Sequence, residues 1–222
     1  MSAATGGGRL KFLSLHGFRT SGRILQQQLE VSNLARDLGD LVEFRCIDAP
    51  SEASAPPSRN VRETFEGPYY EWWNAVEDDD GDVFYEGWDK TLEYLEKYMG
   101  EEGPFDGLFG FSQGANLVTV LVGLQQNGLA LKDVNPVDAC VIVGGMGSRF
   151  KGHTEAFTEP IRARSLHLIG SRDPLGKYSD ALLERFDKPT VVRHDRGHIV
   201  PPLTGDELAT TRAFLSQIRS KH

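Results

Sequence analysis

The pentapeptide Gly110-Phe111-Ser112-Gln113-Gly114 stands between the short apolar run 105–111 and the apolar helical stretch 115–126. No other segment limits the fold as tightly. A chain that passes from a buried strand into a helix within five residues must crowd through a strained corner, and a glycine on each side of the serine lets it do so. Such a corner suits an open sheet whose strands feed directly into the helices that cover it.

The rest of the chain agrees with that architecture. Residues 9–15 read as a strand that breaks at His16-Gly17-Phe18, and 21–38 carry apolar residues at helical spacing up to a stop at Gly39. Further strands are expected at 41–47, 137–143, 165–170 and 190–194, with helices at 88–99, 178–186 and 206–219. Short apolar strands without clean alternation, separated by helices, predict an α/β fold: a mostly parallel central sheet with helices on both faces, in three layers. The expected organisation is a leader over 1–8 and one domain over 9–222. Within that domain, 48–87 lacks a clear period but holds Phe65, Tyr69, Tyr70, Trp72 and Trp73, which predicts a packed functional loop.

Composition narrows the function classes. With 39% hydrophobic and 9% aromatic residues the chain is too apolar for wholesale disorder. The formal charge of -8 argues against nucleic acid, because gripping phosphates needs a basic surface. Five of the acids, Glu77, Asp78, Asp79, Asp80 and Asp82, cluster together and are expected to form a solvated tip on the 48–87 loop. Two cysteines far apart, Cys46 and Cys140, make neither a disulfide framework nor a metal pattern and favour a reducing compartment. No apolar stretch approaches the ~18 residues of a membrane span. A cytoplasmic location is the simplest expectation, without a metal, and the sequence leaves the oligomeric state open.

Ser112 at the corner is a candidate nucleophile, with the amides and partial positive charge of the following helix beside it. A serine hydroxyl needs a general base, and that base needs a carboxylate to hold its tautomer. Asp173, in a turn after the strand at 165–170, and His198, in a loop after the strand at 190–194, follow Ser112 in the required order at the carboxyl ends of strands. Asp180, Asp187 and Asp195 are rival acids, while His167 and His194 lie inside strands, where a packed histidine is the commoner outcome. Donors for the anionic oxygen of an acyl-transfer intermediate are expected from the backbone N–H groups of Gln113 and Phe18. His16 would organise the loop rather than move protons. His16, Tyr69, Tyr70, Trp72, Trp73 and Met146 are the candidate lining of an acyl pocket, with Phe18 among the possible aromatic contributors, although pockets and cores draw on the same side chains.

Leu15-His16-Gly17-Phe18, Trp72-Trp73, Gly110 to Gly114, Gly170-Ser171-Arg172-Asp173-Pro174 and Gly197-His198-Ile199-Val200-Pro201 together resemble the FSH family of serine hydrolases, over 10–215. The resemblance implies an α/β-hydrolase fold, no cofactor, and hydrolysis of a small-molecule acyl ester or thioester through Ser112, Asp173 and His198. Medium or long acyl chains are expected if the aromatics line the pocket, with an acyl thioesterase as the alternative activity. Two rivals compete: a non-catalytic ligand-binding hydrolase fold, and a nucleotide-binding oxidoreductase prompted by Val143-Gly144-Gly145-Met146-Gly147. No GxGxxG opens a βαβ unit here, so that glycine run reads better as a turn bordering the same site.

Overall fold

A computed structural model describes residues 8–220, so the expected leader lies outside the described residues except for Gly8. Strands β1 (Leu10–Leu15) and β2 (Val42–Ile47) enclose helices α1 (Gly22–Val31) and α2 (Leu34–Asp37). Next come the short strand β3 (Ser51–Glu52), helix α3 (Arg59–Thr64), and strands β4 (Tyr70–Glu71), β5 (Asn74–Glu77) and β6 (Val83–Glu86). The remainder alternates: α4 (Trp88–Glu102), β7 (Gly107–Phe111), α5 (Gln113–Gln126), β8 (Ala139–Val143), a 3-10 turn (Lys151–Phe157), β9 (Arg164–Gly170), α6 (Gly176–Leu183), β10 (Thr190–His194) and α7 (Gly205–Arg219).

Six strands form one parallel sheet in the order β10-β9-β8-β7-β1-β2. The central strands β7 and β8 are buried at every position, which is why they read as continuous apolar runs rather than alternating ones. Two apolar cores flank the sheet. One joins it to α4, α5 and α6 through Leu95, Leu117, Leu121 and Leu182, and the other to α1, α2 and α7 through Leu25, Leu29, Leu34 and Phe214. Strand order reverses direction between β1 and β7, so the loops after these two strands diverge and leave a crevice at their carboxyl ends. Among the described residues no helix is long and apolar enough to cross a membrane.

The single helix expected over 21–38 is two helices. Ser32 Oγ donates to the Leu29 carbonyl and accepts from the Leu34 N–H, and Asn33 takes a left-handed conformation with φ 63°. Local side-chain bonding of this kind competes with the helix ladder, and asparagine tolerates the left-handed region better than most residues.

The 48–87 segment is packed, as its aromatics suggest, and it contains more regular structure than its sequence indicates. β3 pairs with β4 and β5 with β6, both antiparallel, around a core made by Trp72, Trp73 and Trp88. Trp73 stacks on Tyr85 with ring centroids 4.7 Å apart. The acidic tip is the exposed turn between β5 and β6, where Asp78 Oδ1 accepts the N–H groups of Asp80 and Asp82. Arg149 pairs with Glu77 and Lys151 with Asp82 on its flanks.

Candidate active site

Ser112 occupies the corner between β7 and α5 with φ 55° and ψ -114°. A side chain held there is strained, and the surrounding packing imposes the conformation. Gly114 makes the corner possible: α5 passes so close to β1 that a Cβ at this position would sit 2.0 Å from the Leu15 carbonyl oxygen.

His198 Nε2 lies 2.9 Å from Ser112 Oγ, and His198 Nδ1 lies 2.7 Å from Asp173 Oδ2. The second carboxylate oxygen of Asp173 accepts the Leu175 N–H at 2.7 Å, so both oxygens are held and the imidazole meets a fixed partner. The Asp173 side chain is only 3% exposed, whereas that of His198 is 27% exposed and can face an incoming molecule. The rival acids point elsewhere: Asp180 pairs with Arg193, Asp195 with Arg172 and Arg196, and Asp187 is exposed. Gly144, at φ 57° after β8, leaves room for this group, since a Cβ there would fall 2.9 Å from His198 Cε1. The glycine run 144–147 therefore borders the site.

The loop after β1 is held from behind by His16. This side chain is fully buried, accepts the Ala49 N–H at Nε2 and donates from Nδ1 to the Gly17 carbonyl. Burial pushes its pKa down to about 4, against weaker upward pulls from the Gly17 carbonyl and Asp48, so the ring stays neutral and both nitrogens are committed. Trp72 Nε1 donates to the His16 carbonyl at 2.9 Å. The Gln113 side chain joins this frame, accepting the Trp72 N–H and donating to the Trp73 carbonyl. Its own backbone N–H and that of Phe18 have no acceptor among the described residues.

The expected pocket lining needs correction. A groove of about 650 Å³ opens at Ser112 and His198, and His16, Tyr69, Tyr70, Trp72, Trp73 and Met146 do not line it. Trp72 and Trp73 are core residues, 0% and 3% exposed, because their rings are consumed in packing the 48–87 segment onto the sheet. The walls come instead from Phe18, from Gln28, Val31 and Ser32 of the α1 end, from 58–65, and from Ile199, Val200 and Pro202. These are far apart in sequence, and the signals they share are exposed apolar side chains at Phe18, Val31 and Ile199, of which only Phe18 was among the expected contributors. The acidic tip contributes nothing to the groove lining.

Burial also pushes the thiols of Cys46 and Cys140 up to about 12, which removes them as nucleophiles. His167, against Phe186 in the core, is pushed down to about 4 by burial, as His16 is. Both imidazoles are neutral in the folded state and take up protons near pH 6.5 once unfolded. Below that pH the unfolded chain binds more protons, so stability is full above about 6.5 and falls as the pH drops toward 4, by up to about 1.4 kcal/mol per pH unit for each ring. Urea unfolding at about pH 7.5 and about pH 5 should show a loss of up to about 4 kcal/mol. Equal midpoints and slopes at the two pH values would contradict the neutral burial of these rings.

The sequence matches the family model described as Serine hydrolase (FSH1) over residues 5–207. Esterase OVCA2 of Xenopus tropicalis is 30% identical over 204 residues, covering 86% of this chain and 86% of that protein. An esterase of Anopheles gambiae is 32% identical over 211 residues, covering 90% of this chain and 76% of its own length. In three dimensions the chain superimposes on Zea mays acyl-protein thioesterase 2 with a TM-score of 0.62 at 18% identity, covering 98% and 97% of the two chains, a likeness of fold. The α/β-hydrolase fold expected from the sequence is thus the observed one.

Proposed function

The chain belongs to the FSH1 serine hydrolase family, and on that premise we propose that Ser112, His198 and Asp173 form a catalytic triad that cleaves carboxylic esters through an acyl-enzyme. The observation that carries this reading is the continuous relay from Asp173 Oδ2 to His198 Nδ1 and from His198 Nε2 to Ser112 Oγ, at 2.7 and 2.9 Å. Both contacts are hydrogen bonds, and that between His198 Nε2 and Ser112 Oγ is within direct proton-transfer reach.

In the first half-reaction His198 Nε2 takes the Ser112 proton as Oγ attacks the acyl carbon. The carbonyl oxygen becomes an anion, for which the free N–H groups of Gln113 and Phe18 serve as donors. Asp173 stabilises the imidazolium, which then protonates the departing alcohol. Water attacks the acyl-enzyme in the second half-reaction, giving its proton to His198, and the carboxylic acid leaves as Ser112 recovers its hydrogen. The volume of the groove suits a medium or long acyl chain, and its lining holds no Asp, Glu, Lys or Arg that would favour a charged one.

Incubation with a fluorophosphonate should add one phosphonyl group to the protein by intact mass and none to Ser112→Ala. An unlabelled parent protein, or equal labelling of the variant, would remove the triad from consideration. An acyl thioester fits the same steps with a thiolate as leaving group. Nitrophenyl esters of increasing length run beside matched thioesters separate the two substrate classes.

A further inference from the structure

The groove is apolar along most of its length, through Phe18, Val31, Val61, Phe65, Ile199 and Val200, with polar side chains interspersed among them. Three of its wall hydroxyls are already occupied, and Ser58 and Asn60 are exposed. Thr20 Oγ1 donates to the Gly17 carbonyl at 2.7 Å, Ser32 Oγ to Leu29 at 3.1 Å and Thr64 Oγ1 to Asn60 at 2.8 Å. Gln28 differs: its Oε1 is buried and no hydrogen-bond donor among the described residues meets it. With Val31 and Ser32 it forms the i, i+3, i+4 stripe of α1 that faces the groove, while Ile24, Leu25 and Leu29 turn to the core. A buried amide oxygen without a donor is costly to keep, and a leucine would fill such a wall without that cost.

We infer that Gln28 is a specificity-determining residue, and that the preferred substrates are esters whose acyl chain carries a hydroxyl group that hydrogen-bonds its side-chain amide. The inference rests on the groove being the acyl site of the Ser112 centre. A hydroxyl both donates and accepts, so it pairs with either end of an amide, and the terminal glutamine torsion is soft enough to turn toward it. Charged substituents are disfavoured because the lining offers no counter-charge to replace their lost water. A site that hydrogen-bonds a substrate hydroxyl discriminates more strongly than an apolar wall does, since the analogue lacking the hydroxyl leaves the protein group unpaired.

The test compares nitrophenyl dodecanoate with a series in which one hydroxyl is moved from mid-chain to the chain end. In the parent protein at least one position should raise kcat/KM over the unsubstituted ester by about tenfold. In Gln28→Leu that ratio should fall below about twofold, and Tm should equal or exceed the parent value because an unpaired polar group has been removed. A hydroxyl series that stays within about twofold of the plain ester in the parent, a preference that survives in Gln28→Leu, or a Tm several degrees lower in that variant each overturns the inference. Normal turnover without any hydroxyl preference leaves the triad intact, whereas failure of every ester together with failure of fluorophosphonate labelling brings down both readings.

Discussion

Ser112→Ala is expected to lower kcat/KM for a nitrophenyl ester by about 10⁴- to 10⁶-fold while leaving the protein folded. The change removes one oxygen, 2.9 Å from His198 Nε2, and leaves the groove and the Gln113 and Phe18 amides in place. Alanine meets the φ of 55° no better and no worse than serine does, so Tm should stay within a few degrees of the parent. His198→Ala should cost a similar factor, because a serine without its base is protonated at neutral pH. The informative measurement is the double variant. Residues that act as one unit fall to a common floor, so Ser112→Ala with His198→Ala should be no slower than either alone. Asp173→Asn, which keeps the shape but loses the charge and the correct tautomer, should cost about 10⁴-fold in kcat. A Ser112→Ala enzyme within tenfold of the parent, or single losses that multiply in the double variant, would contradict a triad here.

Gly114→Ala should be among the most damaging single methyl additions in the molecule. Its Cβ would lie 2.0 Å from the Leu15 carbonyl oxygen, 2.5 Å from the Leu15 carbonyl carbon and 2.7 Å from the His16 oxygen. Those are backbone atoms of strand β1 and of the loop that leads to Phe18, and no rotamer change relieves the contact. Overpacking a core costs about 1–3 kcal/mol when side chains can yield, and more when they cannot. In a chain of this size a loss of about 3 kcal/mol lowers Tm by about 6–12 °C. Activity should fall further than stability, since moving the His16 backbone moves the Phe18 amide as well. Gly147→Ala is the matched control: nothing among the described residues lies within 4 Å of a Cβ there, and its Tm should be that of the parent. Equal thermal melts for the two variants would mean that α5 and β1 do not approach as closely as described.

The elbow and the order of its partners could be read from the sequence because each is a local pattern at a strand end. Ser112, Asp173 and His198 each follow an apolar run by a few residues, and a parallel sheet delivers all such positions to one edge. The break in the first helix could not be read this way. The apolar residues Ile24, Leu25, Leu29 and Leu34 continue across the break, and what ends α1 is a pair of hydrogen bonds at Ser32 Oγ, one donated to Leu29 and one accepted from Leu34. The fate of the aromatics was equally hidden: transfer from water favours burial of a tryptophan whether it meets a ligand or a neighbouring tyrosine.

From the sequence alone, then, come the parallel α/β layering, the strained serine corner and the three side chains that meet there, since periodicity and short-range spacing encode them. Tertiary structure alone decided that Trp72 and Trp73 belong to the core, that burial keeps the His16 ring behind the loop after β1 neutral, and that the groove is walled by 28–32, 58–65 and 199–202. The physical reason is range. A local pattern specifies the conformation and the burial of a residue, whereas a groove is bounded by segments brought together only when distant surfaces pack.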